Sequence, residues 1–506
     1  MKKIILILSL LFTLFSTLSI SAQPAYKIRV ISAESMGRTQ YMPEGVTSFR
    51  GHPVFEHDGA YLYCDSAWLN EITNTVDCYG SVRIKSSDTL NLYGKVLHYD
   101  GNTKIASISQ DVRLIDNQTT LYTDFLVFDR NTQIASYTTG GRIVNQDNFL
   151  SSRRGYYHTN TKLMKFKGEV LMTNPDYKVT CDSLNYNTQT RISYFICPTK
   201  IKGKDNEMYC KSGQYNRVTE QSEFAQRALI VDEGRTLTGD SLYFENKTGY
   251  GRAVNNIIMT DTAQDLIVKG NLAHYFKKEG FVRVMDKAVA MQGDEDDTLF
   301  LHADTLKAVF DTTTNDIKQL YGWKNTRFFK NDIQGVCDSL YFNYPDSVIK
   351  LYGFPILWSE ENQLTADTII IYTGNKSVKE LHMYSNAIMS SNDSLEYFNQ
   401  VKGKTMKGYF QDNELKIVDV EGNAESVYFI REDDKSLIGV NKTQGRKMKI
   451  YVENKKIHFL TYFEKSNGNM YPEQNFTDEI LRLKGFEWYI DQRPKDRNDV
   501  LRNTRN

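Results

Sequence analysis

From about residue 50 to residue 430 the chain alternates apolar and polar residues with a period of two, in short runs bounded by turn residues. Gly80-Ser81-Val82-Arg83-Ile84, Gly168-Glu169-Val170-Leu171-Met172 and Asn256-Ile257-Ile258-Met259 are typical, each opened by a Gly or an Asn. No stretch in this region sustains a helical period. The pattern therefore predicts strands throughout, because only a pleated backbone sends successive side chains to opposite faces.

A second phrase recurs about midway between these runs: a small residue, then Asp-Ser/Thr-Leu-x-aromatic. It stands as Cys181-Asp182-Ser183-Leu184-Asn185-Tyr186, as Gly239-Asp240-Ser241-Leu242-Tyr243-Phe244 and as Cys337-Asp338-Ser339-Leu340-Tyr341-Phe342, with shorter forms at Ala303-Asp304-Thr305-Leu306 and Ala366-Asp367-Thr368-Ile369. With the Asp as register mark, copies fall at 65, 95, 124, 153, 182, 211, 240, 270, 304, 338, 367 and 404, mostly 29 or 30 residues apart. Such a period marks an array in which each repeat buries its apolar face against its neighbours.

Parity within the repeat implies a bend. Apolar residues lie two and four places after the mark but three places before it, as in Leu237, Leu242 and Phe244. An uninterrupted strand would put the first of these on the face opposite to the other two, so a bulge or corner is expected near the Asp-Ser step. Each repeat then reads as short strands joined at corners, a coil whose copies stack in register, with the Asp accepting backbone N–H groups at a corner. The inward stripe comprises Leu126, Phe128, Leu184, Tyr186, Leu242, Phe244, Leu306, Phe310, Leu340, Phe342, Ile369 and Ile371. It either fills the core of a closed solenoid or lines a greasy groove between walls that stay apart.

Composition adds exclusions. Lys plus Arg and Asp plus Glu number 62 each, so no global field steers the chain to a polyanion, and nucleic acid is not an expected partner. Thirty-two Tyr and 26 Phe against 9 Pro favour strands. Met1, Lys2 and Lys3 precede an apolar run from Ile4 to Ile20 with Ala22 near its end, which reads as a signal peptide over residues 1–22. A lead-in over 23–50, the repeat domain over 51–432 and a different segment over 433–506 follow. In that last segment Ile480, Leu483 and Phe486 or Trp488 mark a short amphipathic piece suited to capping the stack or docking a partner.

Chemistry is sparse. The corner Asp is replaced by Lys or Arg at 95, 153, 211 and 404 and by Gly at 270, and no second carboxylate stands beside it, too few oxygens for calcium. The eight His residues show no zinc spacing, and no nucleophile elbow or phosphate loop occurs. Asp294-Glu295-Asp296-Asp297 reads as a solvated loop. No metal, no cofactor and no catalytic residue is expected. Four of the six Cys, at 64, 181, 210 and 337, recur at one repeat position as small buried apolar residues, and Cys181 and Cys210 lie one repeat apart, close enough in register to bridge.

The Asp-Ser-Leu-x-Tyr phrase and Val420-Glu421-Gly422-Asn423-Ala424, repeated behind a signal peptide, resemble the OstA-like family, which includes LptA and the N-terminal domain of LptD. The resemblance covers residues 50 to 432. It implies a β-jelly-roll stack open along one side like a folded taco, whose interior holds the acyl chains of lipid A, and copies that join through terminal edge strands. The function so implied is a periplasmic lipopolysaccharide-binding bridge, outer-membrane associated at most peripherally, that passes lipopolysaccharide toward the outer membrane with other transport proteins as partners. The alternatives are a closed β-solenoid scaffold or adhesin without lipid, and an enzyme on a β-helix, which needs a cluster of charged groups on one outer face that the sequence does not offer.

Overall fold

The computed structural model describes residues 27–501 apart from 205, 233, 294–296, 315, 375–376, 395, 413, 433 and 454–455. The expected signal peptide over 1–22 and the start of the lead-in lie outside the described residues, as do three of the four acidic residues at 294–297. The described residues form 40 strands, one short α-helix at Asp478–Leu481 and three single 3₁₀ turns, so the protein is all-β. The chain divides into two compact units, unit 1 over residues 1–204 and unit 2 over residues 205–506.

Local chemistry sets the connections. In unit 1 the carboxylate of Asp100 accepts the backbone N–H of Asn102 (2.8 Å) and Thr103 (3.3 Å), and Asp129 does the same for Asn131 and Thr132. Asn216 and Asp311 repeat the device in unit 2. Side chains of this kind mimic a turn and reverse the chain. Accordingly Thr75–Lys85, Leu90–Asp100, Ile105–Asp116 and Thr119–Asp129 pair successively antiparallel in unit 1, and Gln221–Asp232, Arg235–Glu245, Tyr250–Asp261 and Leu266–Phe276 do so in unit 2. The expected coil is thus a meander: one repeat is two antiparallel strands and their turns. A repeat period alone does not separate the two, because both return the same residue to the same place.

The bend lies where parity requires it. Pairing of Thr119–Asp129 with its neighbour skips Asp124, and pairing of Arg235–Glu245 skips Gly239 and Asp240. Each mark faces a sharper corner on the next strand, built mostly of two successive residues with positive φ: Gln110 (68°) and Asp111 (51°), Gln226 (61°) and Arg227 (62°), Asn255 (57°) and Asn256 (50°), Ser385 (61°) and Asn386 (53°). Facing corners are chemically matched. The Ser81 N–H donates to Asp65 (2.8 Å), Asn256 to Asp240 (2.6 Å), Asn325 to Asp304 (3.0 Å) and Asn386 to Asp367 (3.2 Å). At two of the basic marks the facing corner is acidic: Lys95 pairs with Asp111, and Arg153 with Glu169.

Unit 2 carries one further element. From Pro472 onward the chain leaves the sheet and runs back across the strands as a strap, lying on the face opposite the inward stripe. Its backbone is held by a row of glutamines. Gln400 donates to Leu481 O (2.8 Å) and accepts from Leu483 N (2.8 Å), Gln363 donates to Glu487 O (2.8 Å) and accepts from Tyr489 N (2.8 Å), and Gln334 accepts from Arg493 Nε (2.8 Å). Leu483 is buried among Val427, Phe429 and Val440, and Tyr489 packs on Val336, Ile356 and Trp358.

Among the described residues no disulfide joins any of the six cysteines, Cys181 and Cys210 included. The thiol beside Cys181 is that of Cys197, and burial together with that neighbour pushes Cys181 up to about 12.

A Cβ on Gly80 (φ 95°) would collide with the Asp65 carboxylate, whereas Gly59 (φ 77°) faces open space. Gly59→Ala is expected to cost about 1 kcal/mol from backbone conformation alone, and Gly80→Ala distinctly more, by urea denaturation. Equal losses would show that the corner contact contributes nothing. Leu483→Ala is expected to destabilise unit 2 by about 2–4 kcal/mol as a cavity under the strap, and an unchanged midpoint would mean the strap is not anchored there.

Candidate apolar groove

The two halves of each kinked strand present their inward residues to a common interior, and two cross-strand rows line the half that follows the mark. In the row nearer the corner, Leu126 and Leu184 of unit 1 are fully buried, Leu242 and Leu306 of unit 2 are 3% exposed, Leu340 is 8% and Ile369 is 0% exposed. The corner row is therefore closed in both units.

The second row differs between them. In unit 1 it runs through Val76, Tyr99, Ala106, Phe128, Ala135, Tyr157, Met164 and Tyr186, none more than 2% exposed. In unit 2 the equivalent row runs through Phe244, Tyr275, Val282, Ala308, Leu320, Phe342 and Ile349, all only half-buried, before closing at Ile371 and Leu381. The opposite wall there, Met208, Ile230, Leu237, Met259 and Val268, is half-buried too. Phe310 is half-buried and stacks on Tyr275 with centroids 5.8 Å apart. Apolar side chains that face inward yet keep solvent contact define a cleft between walls that do not touch.

Buried hydroxyls tie the walls of unit 1 together at three positions. The tyrosine four places after the mark reaches the far wall and bonds a polar group at a strand end. Tyr99 pairs with His57 Nδ1 (2.8 Å), Tyr157 donates to Asp116 Oδ2 (2.5 Å) and Tyr186 donates to Asn145 Oδ1 (3.0 Å). Asp116 is also met by Lys162 (2.5 Å), and Asn145 donates to Thr119 (2.7 Å). Burial, reinforced by Asp116, holds the Tyr157 hydroxyl far above its ordinary value, so it stays a donor at any physiological pH. A buried polar group without its partner costs more than the bond itself contributes, so these pairs fix the separation of the walls. At the same position unit 2 has Phe244, Phe342 and Ile371, which carry no hydroxyl, and the half-buried Tyr215; Phe128 of unit 1 is closed there without one.

All twelve stripe residues thus face the interior, eight within closed packing and four, Phe244, Phe310, Phe342 and to a lesser degree Leu340, at or beside the cleft. The bracing groups His57, Asp116 and Asn145 stand outside the repeated phrases. Their signal is a polar residue at an inward position at the far end of a strand.

Among the described residues no group of three or more His, Cys, Asp or Glu side chains is placed to hold a metal ion. The fold and interior define an all-β repeat protein with two walls and an apolar interior, open over part of one unit. The family described as OstA-like protein matches residues 26–182 and 178–240. Over residues 26–240 the chain is thus similar to that family. No curated protein matches the chain. Among solved structures it is similar to LptH from Pseudomonas aeruginosa, titled the LptA homologous periplasmic component of the lipopolysaccharide transport device, at 12% identity and a TM-score of 0.23, over 28% of this chain and 95% of that one.

Removing the Tyr157 hydroxyl leaves Asp116 buried with one donor fewer. Tyr157→Phe is expected to lower the stability of unit 1 by about 1–3 kcal/mol, read from guanidinium denaturation, and a loss below about 0.5 kcal/mol would reject the brace.

Proposed function

We propose that the protein is a non-enzymatic lipopolysaccharide-binding bridge of the periplasm, and that its cleft in unit 2 shields the acyl chains of lipid A. The observation that carries this reading is the half-buried apolar lining from Met208 to Ile349, where Phe244 and Phe342 stand at the repeat position that in unit 1 holds the bonded Tyr99, Tyr157 and Tyr186. Similarity of residues 26–240 to the OstA-like family supports a place in lipopolysaccharide transport. Acyl chains entering such a cleft gain roughly 0.8 kcal/mol per buried CH₂ without displacing any hydrogen-bonded partner. Neighbouring sites of similar affinity along the row let a chain move between them, and direction comes from an energy-using partner elsewhere.

In this reading Phe244, Phe310 and Phe342, with Leu340 beside them, form the lipid site, Leu242 and Leu306 close its corner row, Leu126, Phe128, Leu184 and Tyr186 hold unit 1 together, and Ile369 and Ile371 end the cleft. Unit 1 then acts as the closed scaffold that the alternative reading expected of the whole chain, its braces being the observation in favour. Strands with an unpaired edge, such as Asn467–Tyr471, which pairs on one side only among the described residues, are the natural place for transport partners to add a strand.

The deciding experiment is photo-crosslinking of lipopolysaccharide from position 244 or 342 against position 126. Adducts are expected from the first two and none from the third. Phe244→Glu with Phe342→Glu should abolish the adducts while leaving the β-sheet circular dichroism intact. Adducts from 126 alone, or retained lipid in the folded double variant, would overturn the assignment.

A further inference from the structure

The outer face of unit 1 bears an ordered row that neither the interior nor the family accounts for. Tyr63 pairs with Arg83, Arg83 with Tyr93, Tyr93 with Arg113, Arg113 with Tyr122, and Tyr122 with Arg142, each directly opposite the next on adjacent strands. Aromatic and cation therefore alternate across six neighbouring strands without a break. The guanidinium of Arg83 lies 5.7 Å from the Tyr63 ring centroid and 5.8 Å from that of Tyr93, and Arg113 lies 5.5 Å from Tyr93. Cross-strand contacts of this kind hold each cation over a ring.

Two features separate this row from ordinary surface pairing. First, its cations are not held in close ion pairs. Among the described residues Arg83 bonds the Asn91 amide oxygen (2.9 Å), and Arg83, Arg113 and Arg142 form no ion pair, although carboxylates line the same groove. Asp65 there is taken by the Ser81 amide, and Asp111 by Lys95. Second, the repeat does not demand such residues. In unit 2 the same repeat position is occupied by Val336, Ile356, Thr365 and Ile388, also paired in one row, and the strap packs on Val336 and Ile356. In unit 1 the row borders a concave groove of about 1490 Å³, with Arg113, Tyr122 and Arg142 exposed.

We propose that this groove is a binding site for an extended anionic glycan. Strands stand about 4.8 Å apart, so like residues recur about every 9.6 Å, close to the length of a disaccharide in an extended chain. A polymer with one carboxylate per disaccharide then meets one guanidinium and one phenol in each repeat. The guanidinium donates two parallel N–H groups to the carboxylate, and the ring edge and hydroxyl of tyrosine receive the sugar face and its hydroxyls. A flexible polypeptide polyanion matches the charge and not the rings, and a neutral glycan matches the rings and not the charge. The site is separate from the lipid cleft and stands whether or not that cleft binds lipid.

The test uses the full chain and isothermal titration with hyaluronan oligosaccharides, whose disaccharides each carry one carboxylate. Affinity is expected to rise about tenfold or more from the disaccharide to the hexasaccharide, and to fall about tenfold or more in Arg83→Gln/Arg113→Gln/Arg142→Gln and in Tyr93→Leu/Tyr122→Leu, both with unchanged thermal midpoints. Neutral chitohexaose and polyglutamate are expected to bind at least about tenfold more weakly. Affinity independent of chain length, equal binding of polyglutamate, or no binding by the folded native protein would each overturn the proposal. If one set of variants unfolds, paramagnetic broadening by a spin-labelled hexasaccharide maps the contacted strands of the native protein, and contacts away from the row reject it.

Discussion

The kink in the middle of each strand is the constraint on which the rest of the structure depends. A strand of eleven or twelve residues, such as Thr75–Lys85 or Tyr250–Asp261, is too long for one wall, and unless it turns at its centre its two halves present opposite faces to the interior. The turn is made by residues held at positive φ, which for side chains other than glycine costs of order 1 kcal/mol or more each. Matched corners offset that cost. Asp65 and Asp240 meet an amide N–H, and Lys95 and Arg153 meet a carboxylate, so at these bends the register of one strand against the next is read from polar chemistry as well as from apolar pattern. Exposed ion pairs contribute little individually, and their significance here lies in specifying alignment.

Given the kink, a tyrosine four places after the mark can tie the two walls together. Tyrosine reaches across and is fixed by His57, Asp116 or Asn145, and the second row of unit 1 is sealed. Phenylalanine and isoleucine offer no directional bond, and dispersion alone falls away steeply once surfaces separate. Three hydroxyls thereby fix the wall separation at three places in unit 1, beside positions such as Phe128 that close by packing alone.

Much of this is legible along the chain. The period, the strand character, the inward parity of Leu242 and Phe244 and a bend beside the mark all follow from spacing, because each repeats. What stays hidden does not repeat or is satisfied by many residue types. The sharper corner accepts Gln110, Arg227, Asn256 or Ser385, so no motif betrays it. The meander looks like a coil in sequence because the Asp and Asn turns that reverse the chain lie outside the two conspicuous phrases. The braces join residues about 40 positions apart, as Tyr157 and Asp116 do, and a pairing across walls has no local signature.

The strap shows how far an outer face is also under constraint. Val336, Ile356 and Trp358 stand on the face of the sheet away from the interior, where apolar residues would leave a patch open to aggregation. The C-terminal segment covers it with Tyr489, and the buried glutamines satisfy the strap's irregular backbone, which has no ladder of its own. Its sequence signal is a strand apolar on both faces, Ile356-Leu357-Trp358 above all, followed much later by an amphipathic piece in need of a partner. In unit 1 the equivalent face carries tyrosine and arginine, which remain soluble without a cover. The two faces thus solve one problem by opposite means, and only the uncovered one is free to meet another molecule.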